Sequence, residues 1–206
     1  MKSRCVVVTG ASGNLGRAVV DRLERAGTRV ASLTHADADL TNEEQVEAAY
    51  DKVLQRHGPV WGSVHCAGGW AGAPLAQTQL AMFEKMIALN LRSCFLCCRA
   101  AVRRMRGEGR IVNVSAWTAA ALQGVGGASA YAASKAGVIA LTKAIAEEEP
   151  ASGIRANCVA PGTLRTTANG ETAGQVALED VAEAILYLVS PEAGAINGAV
   201  LTLPSR

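Results

Sequence analysis

The sequence predicts an α/β fold with one doubly wound parallel sheet and helices on both faces. Short apolar runs rich in β-branched residues recur along the chain, and such runs are typical of strands buried in a parallel sheet. Longer segments with apolar residues at helical spacing separate these runs, and this alternation favours parallel strands. The 206 residues suit one core, and no change in composition marks a boundary, so residues 1–206 are expected to form a single domain.

The overall composition excludes several classes of partner. The net charge is only +2, so no basic surface for nucleic acid is expected. No apolar run approaches the ~18 residues that a membrane-spanning helix needs. We therefore expect a soluble, cytoplasmic protein without a nucleic-acid or membrane partner.

The first predicted strand is Val6–Val8, and a glycine-rich turn joins it to a helix that carries Leu15, Val19 and Leu23 on its apolar face. Glycines let the backbone approach a pyrophosphate, and a helix N-terminus offers free N–H groups and a positive dipole. Gly27 is expected to end this helix. The turn is either a plain βα connection or a dinucleotide site, and in the second case its contacts are Gly10, Ser12, Gly13, Asn14, Leu15 and Gly16.

The second predicted strand, Arg29–Thr34, ends without an acidic residue. An acid at that tip would bind the ribose 2′-hydroxyl of NAD, and its absence removes a repulsion against the 2′-phosphate of NADP. The cofactor is therefore NADP(H) or NAD(H), with NADP(H) favoured, although no arginine stands there to bind the phosphate. Asp39 either contacts the adenine or is an ordinary loop acid. The candidate contacts in this region are Thr34, His35, Asp39 and Leu40.

A helix is predicted over Thr41–His57, with Thr41 and Glu44 as a capping box. The third strand, Val60–Cys66, leads into a second glycine-rich turn where a cofactor can lie against the backbone. The candidate contacts in this turn are Ala67, Gly68 and Gly69.

A long helix is predicted over Leu80–Arg106, with Asn90 among its apolar positions. An asparagine inside a helix is unfavourable unless its amide is used, so Asn90 is either functional or a kink or satisfied core residue. The helix end carries three arginines that suit the dipole and are expected to be solvated: Arg103, Arg104 and Arg106.

The fourth strand, Arg110–Val114, places Ser115 at its carboxyl end, where ligands bind in open α/β sheets. After the loop Ala116–Ser129, a helix carries Tyr131 and Lys135 on one face, since they are four residues apart. An ammonium nearby can lower the usual tyrosine pKa of ~10 by ~1–3 units. Such a phenol can exchange a proton with a carbonyl or alcohol oxygen.

The C-terminal part of the chain predicts one more helix and two more strands. The fifth strand is Gly153–Val159, and the turn after it contains Pro161, Gly162 and Thr163. The segment Thr166–Thr172 is short and polar and is expected to be mobile. Leu178–Val189 is predicted to be a helix and Gly198–Leu203 a strand.

The six cysteines and three histidines predict no metal site. Cysteines in apolar runs behave as small buried hydrophobes, so Cys94 and Cys97 are interpreted as helix packing rather than as a redox pair. His35, His57 and His65 show no ligand spacing.

In this order the motifs resemble the short-chain dehydrogenase/reductase family over essentially the whole chain. Thr9-Gly10-x-x-Gly13-x-x-Gly16 is similar to the family's cofactor turn, and Ala67-Gly68 to its Asn-Asn-Ala-Gly element, with His65 and Cys66 in place of both asparagines. Asn157 with residues 161–163 resembles the segment beside the nicotinamide. The catalytic tetrad of the family is matched in order by Asn90, Ser115, Tyr131 and Lys135.

The resemblance implies a Rossmann fold in which residues 1–206 form one dinucleotide-binding and catalytic domain. It implies that Tyr131 is the general acid, that Lys135 lowers the pKa of Tyr131 and binds the nicotinamide ribose, and that Ser115 holds the substrate oxygen. Asn90 would fix a water that relays protons to Lys135. Trp70 and Trp117 either line the substrate site or only pack there. The resemblance also implies a small carbonyl or alcohol substrate and a homodimer or homotetramer built through the two long helices.

Several features keep alternatives open. The turn Cys66–Gly72 is similar to that of dihydropteridine reductases, which reduce a quinonoid pterin but usually lack the serine found here as Ser115. Asn14 stands where the commonest turn pattern has glycine. The segment Thr163–Leu178 is short for a substrate lid, which mildly favours a module that senses NAD(P) without turning it over.

Overall fold

The computed structural model describes residues 4–166 and 174–205. Within these ranges, parallel strands form one sheet, which confirms the predicted fold class. The strands are β1 (Cys5–Thr9), β2 (Arg29–Leu33), β3 (Val60–His65), β4 (Gly109–Val114), β5 (Ile154–Pro161) and β6 (Val200–Leu203). They lie in the order β2-β1-β3-β4-β5-β6. The chain therefore adds β2 on one side of β1 and the later strands on the other side, and the order of strands reverses between β1 and β3. Open α/β sheets bind ligands at the carboxyl ends beside such a reversal.

Helices cover both faces of the sheet. They are α1 (Asn14–Arg25), α2 (Glu43–His57), α3 (Leu80–Met86), α4 (Ser93–Val102), α5 (Trp117–Ala120), α6 (Ser129–Glu148) and α7 (Leu178–Val189). One apolar cluster joins one face of the sheet to α1 and α7, and a second joins the other face to α2, α4 and α6. No helix in the described part of the chain is long and apolar enough to cross a membrane.

The end of α1 follows the sequence prediction. Gly27 has a left-handed backbone with φ of 77°, which a residue without a Cβ adopts without steric cost. The N–H of Gly27 donates to Glu24 O at 2.8 Å, and the N–H of Thr28 donates to Leu23 O at 3.0 Å. These two bonds form a Schellman motif and satisfy carbonyls that the helix leaves free.

The predicted cap of α2 is wrong by one residue. Asn42, not Thr41, is the N-cap, and its side chain accepts a hydrogen bond from the N–H of Gln45 at 3.0 Å. Thr41 instead donates its hydroxyl to Asp39 at 2.8 Å. Because Asn42 is the cap, Thr41 lies in the loop before the helix, where its N–H and hydroxyl both bond to Asp39.

The predicted helix over Leu80–Arg106 is interrupted and ends earlier. A π-helical segment, Ile87–Arg92, lies between α3 and α4, and α4 ends at Val102. Arg104 is not solvated as expected: it is only 8% exposed and donates to the carboxylates of Glu47 and Asp51 on α2. Charge at a helix end predicts a favourable dipole interaction but does not reveal a carboxylate pair on a neighbouring helix.

The other boundaries shift by one or two residues, apart from the short helix α5 inside the predicted loop Ala116–Ser129. The expected mobile segment, Thr166–Thr172, lies almost wholly outside the described residues.

Candidate active site

Two cavities adjoin along the carboxyl ends of the strands and share Cys66 and Gly68 in their walls. The larger, of about 640 Å³, is lined by predicted site residues from five parts of the chain: Leu15, Gly68, Gly69, Trp70, Ser115, Tyr131, Lys135, Pro161, Gly162 and Thr163. The smaller, of about 380 Å³, is lined by Gly10, Ser12, Gly13, His35, Asp39, Leu40, Ala67 and Gly68. The structure therefore brings most of the predicted cofactor residues to one edge of the sheet.

The glycine-rich turn before α1 has the close packing that a dinucleotide turn requires. Gly10 has φ of 65°, and a Cβ on Gly10 would stand 2.6 Å from Ala67 N, so only glycine fits there. Gly13 is the N-cap of α1 and has no side chain to bond the first N–H groups of the helix. These free N–H groups and the helix dipole fit an anionic pyrophosphate.

Asn14, the departure from the commonest turn pattern, is the first residue of α1 and is exposed. Its φ is not positive, so this position does not require glycine. Neither Asn14 nor Gly16 lines the two cavities. Gly16 instead packs directly against the backbone of Gly10, which makes its role the closure of the turn.

The tip of β2 carries an acid in space, although it has none in sequence. Thr34 donates both its N–H and its hydroxyl to Asp37 Oδ2, each at 2.8 Å. These hydrogen bonds hold the pKa of Asp37 below its usual value. Leu33, Thr34 and His35 carry no acid, as expected, but a short turn folds Asp37 back onto the strand end; Asp37 lines neither of the two cavities.

Asp39 lines the smaller cavity and also orders its own loop. Its Oδ1 accepts from the N–H and hydroxyl of Thr41, at 2.9 and 2.8 Å, and its N–H donates to Gln45. Thr34 lines neither cavity, whereas the following residue His35 lines the smaller one.

Asn90 lies in the π-helical segment and is 1% exposed. Its amide pairs with both backbone groups of Gly69, accepting from the N–H at 2.9 Å and donating to the carbonyl at 3.0 Å. It also donates to Ser134 Oγ at 3.0 Å. The amide thus holds the second glycine-rich turn against α6, while the predicted water relay to Lys135 remains a prediction.

Lys135 is buried under the floor of the larger cavity. Its Nζ donates to Val114 O at 3.0 Å and lies 6.0 Å from the centre of the Tyr131 ring. Burial lowers the pKa of Lys135, because the ammonium loses its hydration. Burial likewise raises the pKa of Tyr131. The expected lowering of the Tyr131 pKa is therefore wrong for this arrangement, in which burial of the phenol raises it.

Ser115 begins the chain segment after β4 and is 3% exposed. Its hydroxyl donates to the backbone carbonyl of Lys135 at 2.7 Å, and rotation about its Cα–Cβ bond would turn it towards the cavity. The backbone carbonyls of Val114 and Lys135, which no side-chain pattern can reveal, are the groups that orient the two polar side chains.

The two tryptophans lie in different positions relative to the larger cavity. Trp70 is 69% exposed and stands at the rim of the larger cavity. Trp117 is not among the residues that line it, whereas Thr118 is, so of the two roles left open for Trp117 the structure favours packing. Ser134, absent from the sequence prediction, links Asn90 to the carbonyl of Tyr131, to which it donates at 2.7 Å.

The chain matches known proteins over nearly its whole length. A family model described as Enoyl-(Acyl carrier protein) reductase matches residues 4–203. The 2-(R)-hydroxypropyl-CoM dehydrogenase of Xanthobacter autotrophicus is 34% identical over 245 residues, with 98% of this chain and 97% of the relative covered. Since the 245 aligned positions exceed the 206 residues of this chain, the relative has insertions that this chain lacks.

Solved structures match equally well. The short-chain dehydrogenase/reductase from Serratia marcescens has a TM-score of 0.90 at 26% identity, with 99% of this chain and 97% of that chain covered. A blue fluorescent protein from a metagenomic library, solved in complex with NADPH, has a TM-score of 0.88 at 27% identity and the same coverage.

Proposed function

The chain belongs to the short-chain dehydrogenase/reductase family and is an NAD(P)-dependent oxidoreductase, and we propose that Tyr131 is its general acid and base. The observation that carries this proposal is the wall of the larger cavity, where Tyr131, Ser115 and Lys135 meet the second glycine-rich turn. The proposed reaction interconverts a small carbonyl compound and its alcohol.

Each side chain has one proposed role. Bound NAD(P)(H) supplies or accepts the hydride. In reduction, Tyr131 donates its phenolic proton to the substrate oxygen, and in oxidation it takes the proton back. Ser115 turns its hydroxyl from the Lys135 carbonyl to the substrate oxygen and stabilises negative charge there. Lys135 binds the nicotinamide ribose, and Asn90 fixes a water that leads protons to Lys135.

For the cofactor, we propose NADP(H) over NAD(H). Arg17 supports this choice, because its guanidinium donates to Ser12 O at 2.7 Å and so stays beside the glycine-rich turn. His35 lines the smaller cavity and can donate a ring N–H to a 2′-phosphate there. The negative charge of Asp37 at the tip of β2 disfavours a phosphate nearby. We therefore propose that this carboxylate limits the preference for NADP(H) over NAD(H).

The deciding experiment compares wild type with Tyr131→Phe on a panel of small ketones, aldehydes and alcohols. We expect kcat to fall by about 10²–10⁴-fold, because the phenyl ring cannot exchange a proton. Calorimetric titration with NADPH and NADH should give nearly unchanged cofactor affinity. Turnover that survives in Tyr131→Phe would contradict the proposed acid.

The same panel, with a quinonoid pterin added, tests the two other hypotheses. The local resemblance to dihydropteridine reductases is weakened by Ser115, which lines the cavity here and is usually missing in those enzymes. Turnover of a quinonoid pterin but of no carbonyl compound would favour that activity. Tight cofactor binding without turnover of any substrate would favour the sensor.

We further propose a cytoplasmic homodimer or homotetramer formed through α3, α4 and α6. Phe83 and Phe95 support this, because they are 42% and 44% exposed on α3 and α4. Light scattering at micromolar concentration measures the mass directly, and a monomer would contradict the proposal.

A further inference from the structure

A histidine and two cysteines converge in the core behind the second glycine-rich turn. His65 ends β3, and Cys94 and Cys98 lie one turn apart on α4. All three are at most 5% exposed, and their ligand atoms lie within 4.8 Å of one another. The two sulfurs are 4.0 Å apart, and Cys98 Sγ is 3.4 Å from His65 Nδ1. Asn113 Oδ1 on β4 completes the group, at 3.3 Å from Cys94 Sγ and 3.4 Å from Cys98 Sγ.

The group contains more hydrogen-bond donors than oxygen acceptors. Thr142 donates its hydroxyl to Val138 O and must accept from Asn113 Nδ2, so Asn113 presents its carbonyl oxygen to the group. His65 Nδ1 lies 2.7 Å from that oxygen, and both thiols also point to it. Three donors then face one carbonyl oxygen that has two lone pairs, so one thiol is left with only the weak sulfur acceptor of the other cysteine.

The spacing of the donor atoms instead suits one metal ion. With Zn–S of about 2.3 Å and Zn–N of about 2.0–2.1 Å, a tetrahedral site places two sulfurs about 3.8 Å apart and sulfur about 3.5 Å from nitrogen. The observed 4.0 and 3.4 Å differ from these values by a few tenths of an ångström. Asn113 Oδ1, which is 2.7 Å from His65 Nδ1, must move outward from His65 to take the fourth position.

The surroundings support the histidine as a ligand. Ser63 Oγ lies 2.8 Å from His65 Nε2, and Tyr50 OH lies 2.8 Å from Ser63 Oγ. A ligating histidine keeps its proton on the other ring nitrogen and donates it to such a partner. With Nδ1 on the ion, Nε2–H donates to Ser63, which in turn donates to Tyr50.

We propose that His65, Cys94 and Cys98, with Asn113 as the weak fourth ligand, bind one zinc ion. Binding deprotonates both thiols, releases two protons to solvent and leaves the buried site neutral, since two thiolates balance Zn²⁺. Nitrogen and thiolate ligands select such a soft divalent ion over magnesium or calcium. The ion joins α4 to the ends of β3 and β4, and because the site is closed to solvent, it enters as the chain folds.

The test measures metal in the full chain, purified without chelator from zinc-supplemented culture. We expect one zinc per chain by elemental analysis. Refolding with Co²⁺ in place of zinc should give thiolate-to-cobalt charge-transfer bands and the visible spectrum of a tetrahedral site. Cys94→Ala and Cys98→Ala should each weaken binding about 100-fold or more, the upper range for perturbing a metal site.

Cys97→Ala is the matched control, because Cys97 is on the same helix and equally buried but outside the cluster. It should bind the ion as wild type does. His65→Asn covers the case in which the cysteine variants do not fold, since asparagine keeps a hydrogen bond to Asn113, and it should lose the tetrahedral cobalt spectrum. A wild type that holds neither metal, or equal binding in Cys97→Ala and Cys94→Ala, would overturn the proposal.

Discussion

At the scale of single residues, burial decides what the polar side chains can do. Lys135 and Tyr131 satisfy the four-residue spacing that puts both on one face of α6. Spacing, however, does not give the direction of a pKa shift, which depends on the hydration each group loses. Here burial disfavours both charged forms, so in this arrangement Tyr131 stays a protonated acid near neutral pH, as carbonyl reduction requires.

Lys135→Met should lower kcat by about 100-fold or more and make the folded chain more stable near neutral pH. The folded pKa of Lys135 lies below the ordinary value of 10.5, so folding opposes its charge. Below the folded pKa that cost is fully present, and stability recovers as pH rises from the folded pKa to 10.5. Methionine carries no charge and should remove both the cost and this part of the pH dependence.

Thermal melts of wild type and Lys135→Met from neutral to alkaline pH provide the measurement. Their difference isolates Lys135, because Tyr131 and the buried thiols remain in both proteins. Lys143→Met, at an exposed position of α6, serves as the control and should change neither property. A lower melting temperature for Lys135→Met than for wild type at neutral pH would contradict the prediction. It would show that the interactions of the ammonium in the folded chain outweigh its loss of hydration.

Asp37→Asn should raise the ratio of NADPH to NADH affinity about tenfold, or about 1.4 kcal/mol. Asparagine keeps an oxygen that accepts from Thr34 but removes the carboxylate charge at the end of β2. Parallel calorimetric titrations with both cofactors measure the ratio. Asp21→Asn, an exposed acid of α1, should leave the ratio unchanged, and an equally unchanged ratio in Asp37→Asn would place the phosphate away from β2.

At the scale of elements, contacts between helices redefine ends that local sequence suggests. The π-helical segment at Ile87–Arg92 is one example: π-bulges are frequent at functional sites, and this one places Asn90 against Gly69. The end of α4 is another. Arg104 follows α4 and donates hydrogen bonds to Glu47 and Asp51 of α2. One network of ion pairs therefore links the end of α4 to α2.

Arg104→Met should destabilise the chain by about 2–3 kcal/mol, less than the roughly 3–5 kcal/mol of a fully buried pair because Asp51 is 56% exposed. Arg103→Met is the matched control. Arg103 pairs with the same Glu47 at 2.9 Å but is 57% exposed, so its loss should cost under about 1 kcal/mol. Urea denaturation measures the free energy of unfolding of both variants, provided that the slope m is the same in each. Equal losses in the two variants would show that the buried network stabilises the chain no more than a surface ion pair does.

At the scale of the whole molecule, one edge of the sheet collects residues that are far apart in sequence. The two cavities stand side by side along this edge, with Gly10 and His35 in one and Ser115 and Thr163 in the other. A dinucleotide that fills both therefore joins the two halves of the fold. Its binding energy adds to the stability of the folded chain.

NADP(H) at about 100 times its dissociation constant should stabilise the folded chain by about 2.7 kcal/mol. For a chain of this size, that corresponds to a rise in melting temperature of roughly 5–10 °C. Differential scanning fluorimetry against cofactor concentration measures the rise. ADP, which can fill only the smaller cavity, should raise the melting temperature less at equal concentration, and an equal rise would mean that the larger cavity contributes no binding.

The sequence by itself determined the sheet, its parallel alternation with helices, and most residues along the cofactor edge, since glycine turns, strand tips and helical spacing are local patterns. Tertiary structure alone decided where Asp37 and Arg104 find their partners, which residue beside Ser115 faces the cavity, and in which direction burial shifts Lys135 and Tyr131. It also brought His65 of β3 to Cys94 and Cys98 of α4. These contacts join distant parts of the chain, and hydration, hydrogen bonding and metal geometry depend on distances in space that residue spacing does not contain.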